Sequence, residues 1–244
     1  MKMGRTLVIG DIHGGLKALV QLLKRANITP EDELIFLGDY VDGWSDSANV
    51  VSYLIEFAKQ NTCIFLRGNH DDLTHRWLKT GELNDRWLQH GGQSSIDAYR
   101  QFSNKEKEDH IEFFDQMVNY YIDKENRLFV HAGFTNQKGP GEEYTPTPFY
   151  WDRTLWEMAM ALDPSLKPGD THYPKRLELF NEIFIGHTPV TRIGRDKPTR
   201  FANVCNVDTG AAFMGKISLL DVNSGELVQS DPVHSLYPEE SGRN

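Results

Sequence analysis

The chain has 244 residues, enough for one large domain or two small ones, and its 39% hydrophobic and 25% charged residues are those of a globular protein with a real core. A formal net charge of -9 argues against a nucleic-acid binder, because a phosphate backbone needs a basic face. Two cysteines, Cys63 and Cys205, are too few for a disulfide framework or a thiolate metal cluster, and no run approaches the roughly 20 apolar residues of a membrane span, so a cytoplasmic protein without membrane contact is expected.

The first apolar run, Thr6–Ile9, reads as a buried strand and stops against "GDIHGG", where Asp11 and His13 stand two apart. Residues i and i+2 of a strand share a side, so these two groups are expected to converge just past its end. Leu16, Leu19, Val20 and Leu23 then recur at helical spacing, Leu34–Leu37 runs into "GD" at Asp39, and Val50, Val51, Leu54, Ile55 and Ala58 form a second helical stripe. Cys63–Leu66 leads into "RGNHD", which completes β-α-β-α-β. Residues 73–122 read as helices packed over this layer. Leu128–Val130 precedes "HAG", the stretch 136–149 reads as a proline-rich loop beside the site, and Trp151–Leu162 returns to helical spacing. Ile183–Ile185 precedes "GHT". From Phe201 onward the pattern suggests an antiparallel meander, and the last residues, "YPEESGRN", suggest a frayed end. No internal repeat or domain boundary stands out, so residues 1–244 are expected to form a single domain.

Strands of one sheet lie about 5 Å apart, so the groups that follow these five runs can gather along one edge: Asp11, His13, Asp39, Asn69, His70, His131 and His187. Six oxygen and nitrogen donors with one histidine to spare exceed what one ion needs beside a substrate, whereas two ions sharing Asp39 use them all. Carboxylate, imidazole and amide donors without thiolate suit manganese, iron or zinc. Such a pair matches hydrolysis of a phosphate ester. The leaving oxygen still needs a proton, which His70 can supply with Asp71 orienting its ring. His75, His90, His110, His172 and His234 follow no apolar run and read as structural, with His90 in "HGG" the one to watch; Asp208 in "VDTG" reads as a turn aspartate.

In this order "GDIHG", "GDYVDG", "RGNHD", "HAG" and "GHT" resemble the calcineurin-like metallophosphoesterases, and within them the PPP-type serine/threonine protein phosphatases of the compact bacterial and phage kind. The likeness spans residues 10–188 and extends through "VDTGAAFMGKISLLDV" to about 222. It implies an α/β fold of four layers, helix-sheet-sheet-helix, with the site at strand C-terminal ends, in place of the single sheet considered above. It also implies that Asp11, His13 and Asp39 hold one ion, that Asp39, Asn69, His131 and His187 hold the other, and that His70 paired with Asp71 is the acid. The ions are expected to be manganese first, with iron or zinc as alternatives.

The resemblance further implies two phosphate-holding arginines. "YWDRTLW" makes Arg153 one of them, but the motif that usually reads Gly-Asp-x-Val-Asp-Arg-Gly carries Gly43 where the second should stand. Arg76, Arg192 or Arg195 could compensate, and Arg67 is expected to be structural. The main expectation is a dinuclear phosphoesterase that hydrolyses phosphomonoesters by attack of a metal-bridging hydroxide, a serine/threonine protein phosphatase whose partner is a phosphorylated protein or a small phosphoester. "GNHD" in place of the usual "GNHE" keeps a symmetrical bis(5'-nucleosyl)-tetraphosphatase or other nucleotide hydrolase as the alternative. The lost arginine leaves a third reading, a retired enzyme that binds metal or phosphopeptide without turnover.

Overall fold

Each of the five apolar runs forms a strand in the computed structural model, which describes residues 4–243. In chain order the elements are β1 (Thr6–Ile9), α1 (Leu16–Ala26), β2 (Glu33–Phe36), α2 (Ser47–Ala58), β3 (Thr62–Phe65), α3 (Asn69–Thr80), α4 (Asp85–Trp87), α5 (Gln93–Tyr99), α6 (Asn104–Asp115), β4 (Tyr120–Ile122) and β5 (Arg127–Val130). There follow α7 (Thr147–Trp151), α8 (Thr154–Ala161), α9 (Lys175–Glu178), β6 (Glu182–Ile185), β7 (Thr199–Phe201), β8 (Val204–Asn206), β9 (Ser218–Asp221), β10 (Leu227–Gln229) and α10 (Val233–Leu236).

Two five-stranded sheets result, ordered β10-β9-β1-β2-β3 and β4-β5-β6-β8-β7. β1, β2 and β3 run parallel in the first sheet and β5, β6 and β8 in the second, and β1, β2, β5 and β6 are apolar on both faces, as a sheet covered on both sides demands. Alternation along each strand sorts the side chains. Val8, Ile35, Phe129, Phe184 and Cys205 meet between the sheets, where Phe129 and Phe184 stack at 5.0 Å. Leu7, Ile9, Leu34 and Phe36 face outward under α1 and α2, while Leu128, Val130, Ile183 and Ile185 face a second outer cluster with Leu155 and Trp156 of α8. The chain therefore has the four layers that the resemblance implies.

Four expectations need correction. Tyr120–Ile122 is an edge strand paired antiparallel with β5, not helix, with Tyr120 against the outer cluster of the second sheet and Tyr121 against the cluster between the sheets. The meander splits between sheets: β7 and β8 join β6, while β9 and β10 join β1. Helical spacing from Trp151 is interrupted because the Asp152 carboxylate accepts the Thr154 and Leu155 N–H groups and starts α8 afresh. The tail is seated rather than frayed: Tyr237 stacks on Trp44 at 5.4 Å, and Glu240 accepts from both the backbone and hydroxyl of Ser45. Asn244 lies outside the described residues. Val20 is also exposed, so Ala18, Leu19, Leu22 and Leu23 carry the buried stripe of α1.

His110 is structural, as its place in the sequence suggests. Its ring, on α6, bridges the Ser52 hydroxyl of α2 and the Tyr99 hydroxyl of α5, both at 2.9 Å. Burial lowers its pKa to about 4. Below the ordinary value of about 6.5 the unfolded chain takes up a proton that the folded chain refuses until about pH 4, so this site's contribution is full above pH 6.5 and fades as pH falls toward 4. Urea unfolding at pH 7 and pH 4.5 should show His110→Gln losing about 2 kcal/mol less stability between the two pH values than the wild type does. Equal losses would contradict the assignment.

Candidate active site

The C-terminal ends of the parallel strands point to one place, and the backbone turns sharply there to aim the side chains. His13, Asp39, Asp42 and His187 all have left-handed backbones, with φ of 51°, 54°, 67° and 65°. For residues other than glycine such a conformation costs on the order of 1 kcal/mol or more each, and strain of this kind concentrates at functional sites. The surrounding structure holds it: Ile12 and His13 donate their N–H groups to the Asp39 carbonyl, and Gly14 donates to that of Tyr40. Asp11 and His13 do converge, with Oδ2 and Nε2 3.7 Å apart. The turn brings them together rather than the strand pleat, since β1 has already ended at Ile9.

Asp39 lies at the centre. Its Oδ2 is 3.5 Å from His13 Nε2 on one side and 3.5 Å from His131 Nε2 on the other, while Oδ1 accepts the His70 N–H at 2.9 Å. Asn69 Oδ1 lies 3.2 Å from His131 Nε2 and 2.9 Å from His187 Nδ1. Donor atoms of His13, Asp39 and His70 lie within 4.8 Å of one another, as do those of Asp39, His131 and His187. Asp11 accepts the His187 N–H at 3.2 Å and thereby ties the two groups together. All six donors expected from the sequence meet here.

Several observations show that these donors suit cations. His13 Nδ1 faces the Asp42 carbonyl at 2.8 Å and His131 Nδ1 faces the Leu37 carbonyl at 2.9 Å. A carbonyl only accepts, so each Nδ1 carries a proton, and in the neutral rings each Nε2 turns a lone pair toward the Asp39 carboxylate. Acceptors facing acceptors across 3.5 Å, nearly out of contact with water, are repulsive unless positive charge, an ion or a second ring proton, lies between them. Among the described residues no lysine or arginine forms an ion pair with Asp11, Asp39 or Asp208. Burial lifts Asp11 to about 7, with His131 opposing and the Asp39 charge adding, and lifts Asp208 to about 8, helped by Asp11. Nε2 of His187 and Oδ2 of Asp208 are buried without a hydrogen-bond partner among the described residues. The donor set fits divalent ions with oxygen and nitrogen preferences.

The pairing of His70 with Asp71 is not what the structure has. Asp71 sits in the first turn of α3 and its carboxylate turns back to accept the N–H groups of Gly68, Asp39 and Tyr40, the last two at 2.7 and 2.9 Å. It shapes the Asp39 loop. His70 Nδ1 instead meets Asp42 Oδ2 at 2.7 Å, and Asp42 also accepts from Trp87 Nε1, Ser95 and Thr74. A fully buried carboxylate with this many donors is rigidly placed. Asp42 went unassigned in the sequence, although it is the second aspartate of the Asp39 motif.

Above the donors opens a cavity of about 680 Å³. Arg86, Arg153, Arg192 and Arg243 line it together with Trp151, Phe213 and Asp208. Arg153 is thus at the site, placed at the rim by the break before α8. Of the three candidate compensators only Arg192 lines the cavity; Arg76 pairs with Asp72 on α3 at 3.1 Å. Arg67 is structural, donating to the Phe114 carbonyl and meeting His75 at 2.9 Å. His90 also lines the cavity. Asp208 both holds its turn, accepting Gly210 N–H at 2.9 Å, and faces the cavity. Arg243 was missed entirely, because its tail carries no motif.

Comparison with known proteins gives a consistent picture. The model of the calcineurin-like phosphoesterase family matches residues 4–213. The chain is 25% identical over 227 residues to bis(5'-nucleosyl)-tetraphosphatase PrpE [asymmetrical] of Oceanobacillus iheyensis, covering 86% of each. It is 28% identical over 250 residues to the protein of that name from Bacillus cereus strain Q1, covering 95% of this chain and 96% of the other. Among solved structures, a serine/threonine phosphatase from Saccharomyces cerevisiae matches with a TM-score of 0.61 at 14% identity over 94% of this chain and 80% of its own. A metallophosphoesterase from Sphaerobacter thermophilus matches with a TM-score of 0.53 at 16% identity over 93% and 87%. At such identities these two structures speak for the fold alone.

Proposed function

The chain belongs to the calcineurin-like phosphoesterase family, and from that premise we propose that this phosphoric ester hydrolase cleaves dinucleoside polyphosphates asymmetrically, with Asp11, His13, Asp39, Asn69, His131 and His187 holding two divalent ions. The observation that carries the substrate class is the set of four arginines around one cavity in a chain of net charge -9. One phosphomonoester needs one or two guanidinium groups, whereas a tetraphosphate chain presents charge along its length and is matched by cations on several walls. The partly exposed Trp151 ring beside His187, with centroids 6.2 Å apart, offers a stacking face for a base. The names of the relatives agree with this reading, which favours the nucleotide hydrolase weighed as the alternative over the phosphoserine or phosphothreonine protein phosphatase expected from the motifs, with the cleavage asymmetrical rather than symmetrical.

Two such ions, when bound, would supply an acidified water and positive charge for the phosphoryl oxygens, and manganese, iron and zinc all suit these donors. The protein's own residues do the rest. Arg153 and Arg192 hold nonbridging oxygens, Asp42 fixes the His70 ring, and His70 delivers a proton to the leaving oxygen. With manganese added, diadenosine tetraphosphate should give ATP and AMP in equal amounts, at a kcat/KM about 100-fold above that for a phosphoserine peptide. Two equivalents of ADP would favour the symmetrical reaction, and a faster peptide would restore the protein phosphatase.

A further inference from the structure

We propose that Arg243, carried on the C-terminal tail, is a phosphate-binding residue of this site and stands in for the motif arginine that this chain replaces with Gly43. The inference deepens the phosphoester-hydrolase reading above and rests on it. Gly43 leaves a gap, and the tail fills it from the far end of the chain. A Cβ built on Gly43 would lie 3.5 Å from Arg243 Cγ, and one on Gly91 would lie 3.0 Å from Cγ and 3.3 Å from Cδ. Both glycines have positive φ, 133° and 104°. The side chain thus runs through a slot walled by two residues without side chains, and either a β-carbon or a left-handed penalty would narrow that slot.

Its approach is fixed at the base. The Arg243 N–H donates to the Ala212 carbonyl at 2.9 Å, and the tail before it is held by Tyr237 on Trp44 and by Glu240 on Ser45. The guanidinium carbon lies 5.4 Å from the centre of the Phe213 ring, which supports one face. Beyond that it faces the cavity lined by His13, Asp39, His70 and Arg153. Arg243 Nε is buried with no hydrogen-bond partner among the described residues. A buried guanidinium nitrogen with nothing to donate to is costly, and an anion in the cavity would satisfy it. Arg243 would bind the phosphoryl group in the cavity that Arg153 also lines, so the tail would be part of the binding site.

The test is the affinity of inorganic phosphate for the manganese-loaded protein, measured by isothermal titration for the wild type, Arg243→Ala, Arg243→Lys and a surface control, Arg76→Ala. Loss of the guanidinium should weaken phosphate binding about 10- to 100-fold, lysine should recover part of the loss, and added guanidinium ion should partly restore the alanine variant. The control should match the wild type, and manganese content should be the same in all four. Melting temperatures separate a structural role: a lowered melting point with unchanged phosphate affinity would reduce Arg243 to a tail anchor and overturn the proposal, as would unchanged affinity with unchanged melting. A wild type that binds phosphate through Arg243 but leaves diadenosine tetraphosphate intact would sink the nucleotide reading and not this one.

Discussion

Asp39→Asn is expected to fold, to lose both ions and to drop kcat/KM by at least about 10³-fold, the equivalent of roughly 4 kcal/mol of transition-state stabilisation. Asparagine tolerates the left-handed backbone that position 39 adopts and keeps the size of the side chain, so the loop should survive. What it removes is the charge that faces His13 Nε2 and His131 Nε2 at 3.5 Å each. Among the described residues Asp39 is the carboxylate common to both donor groups, so one substitution should empty both positions. Elemental analysis of protein purified with manganese should find less than one ion per chain in the variant against about two in the wild type. Manganese at 100 times its dissociation constant should also stabilise the wild type by about 2.7 kcal/mol and leave the variant's melting unchanged. A variant that keeps two ions would remove Asp39 from the centre of the account.

The second large effect concerns the proton. His70→Asn should keep both ions and lose about 10²- to 10⁴-fold in turnover of an alkyl phosphate, whose leaving oxygen is strongly basic. The loss should shrink to about tenfold on a polyphosphate, because a phosphate leaving group departs without full protonation. Asp42→Asn should follow the same leaving-group dependence at smaller size, since it removes the carboxylate at 2.7 Å that fixes the ring and favours its protonated form. Asp71→Asn should behave differently. It loses an acceptor for three backbone N–H groups, so stability and metal content should fall before any leaving-group dependence appears. Rates on a series of leaving groups for the three variants check this, and an Asp71 variant that mimics His70→Asn would reinstate the pair expected from the sequence.

The contrast between Asp42 and Asp71 marks where the sequence stopped being legible. Apolar runs ending at polar turns place Asp11, Asp39, His131 and His187 at strand ends, because a strand buried on both faces has few other ways to end, and Asn69 follows the less buried edge strand β3 in the same way. Which carboxylate meets the His70 ring is a different question. Successive helix residues point about 100° apart, so Asp71 at the start of α3 turns to its own N-terminus, while Asp42, far off in sequence, is swung into reach by a left-handed φ of 67°. Adjacency misled there. The meander's division between sheets was hidden for a similar reason, since β8 and β9 are both short and largely buried and only their partners, β6 for β8 and β1 for β9, separate them. Arg243 was beyond reach, because glycine, glutamate and proline near a chain end compose a frayed tail and a seated one equally well.

The central claim is that one pocket holds two cations that share Asp39. Anomalous difference density from crystals grown with manganese tests it most directly. Two peaks are expected, one beside Asp11 and His13 and one beside Asn69, His131 and His187, with the Asp39 carboxylate reaching both. A single peak away from Asp39, or none at saturating manganese, would contradict it.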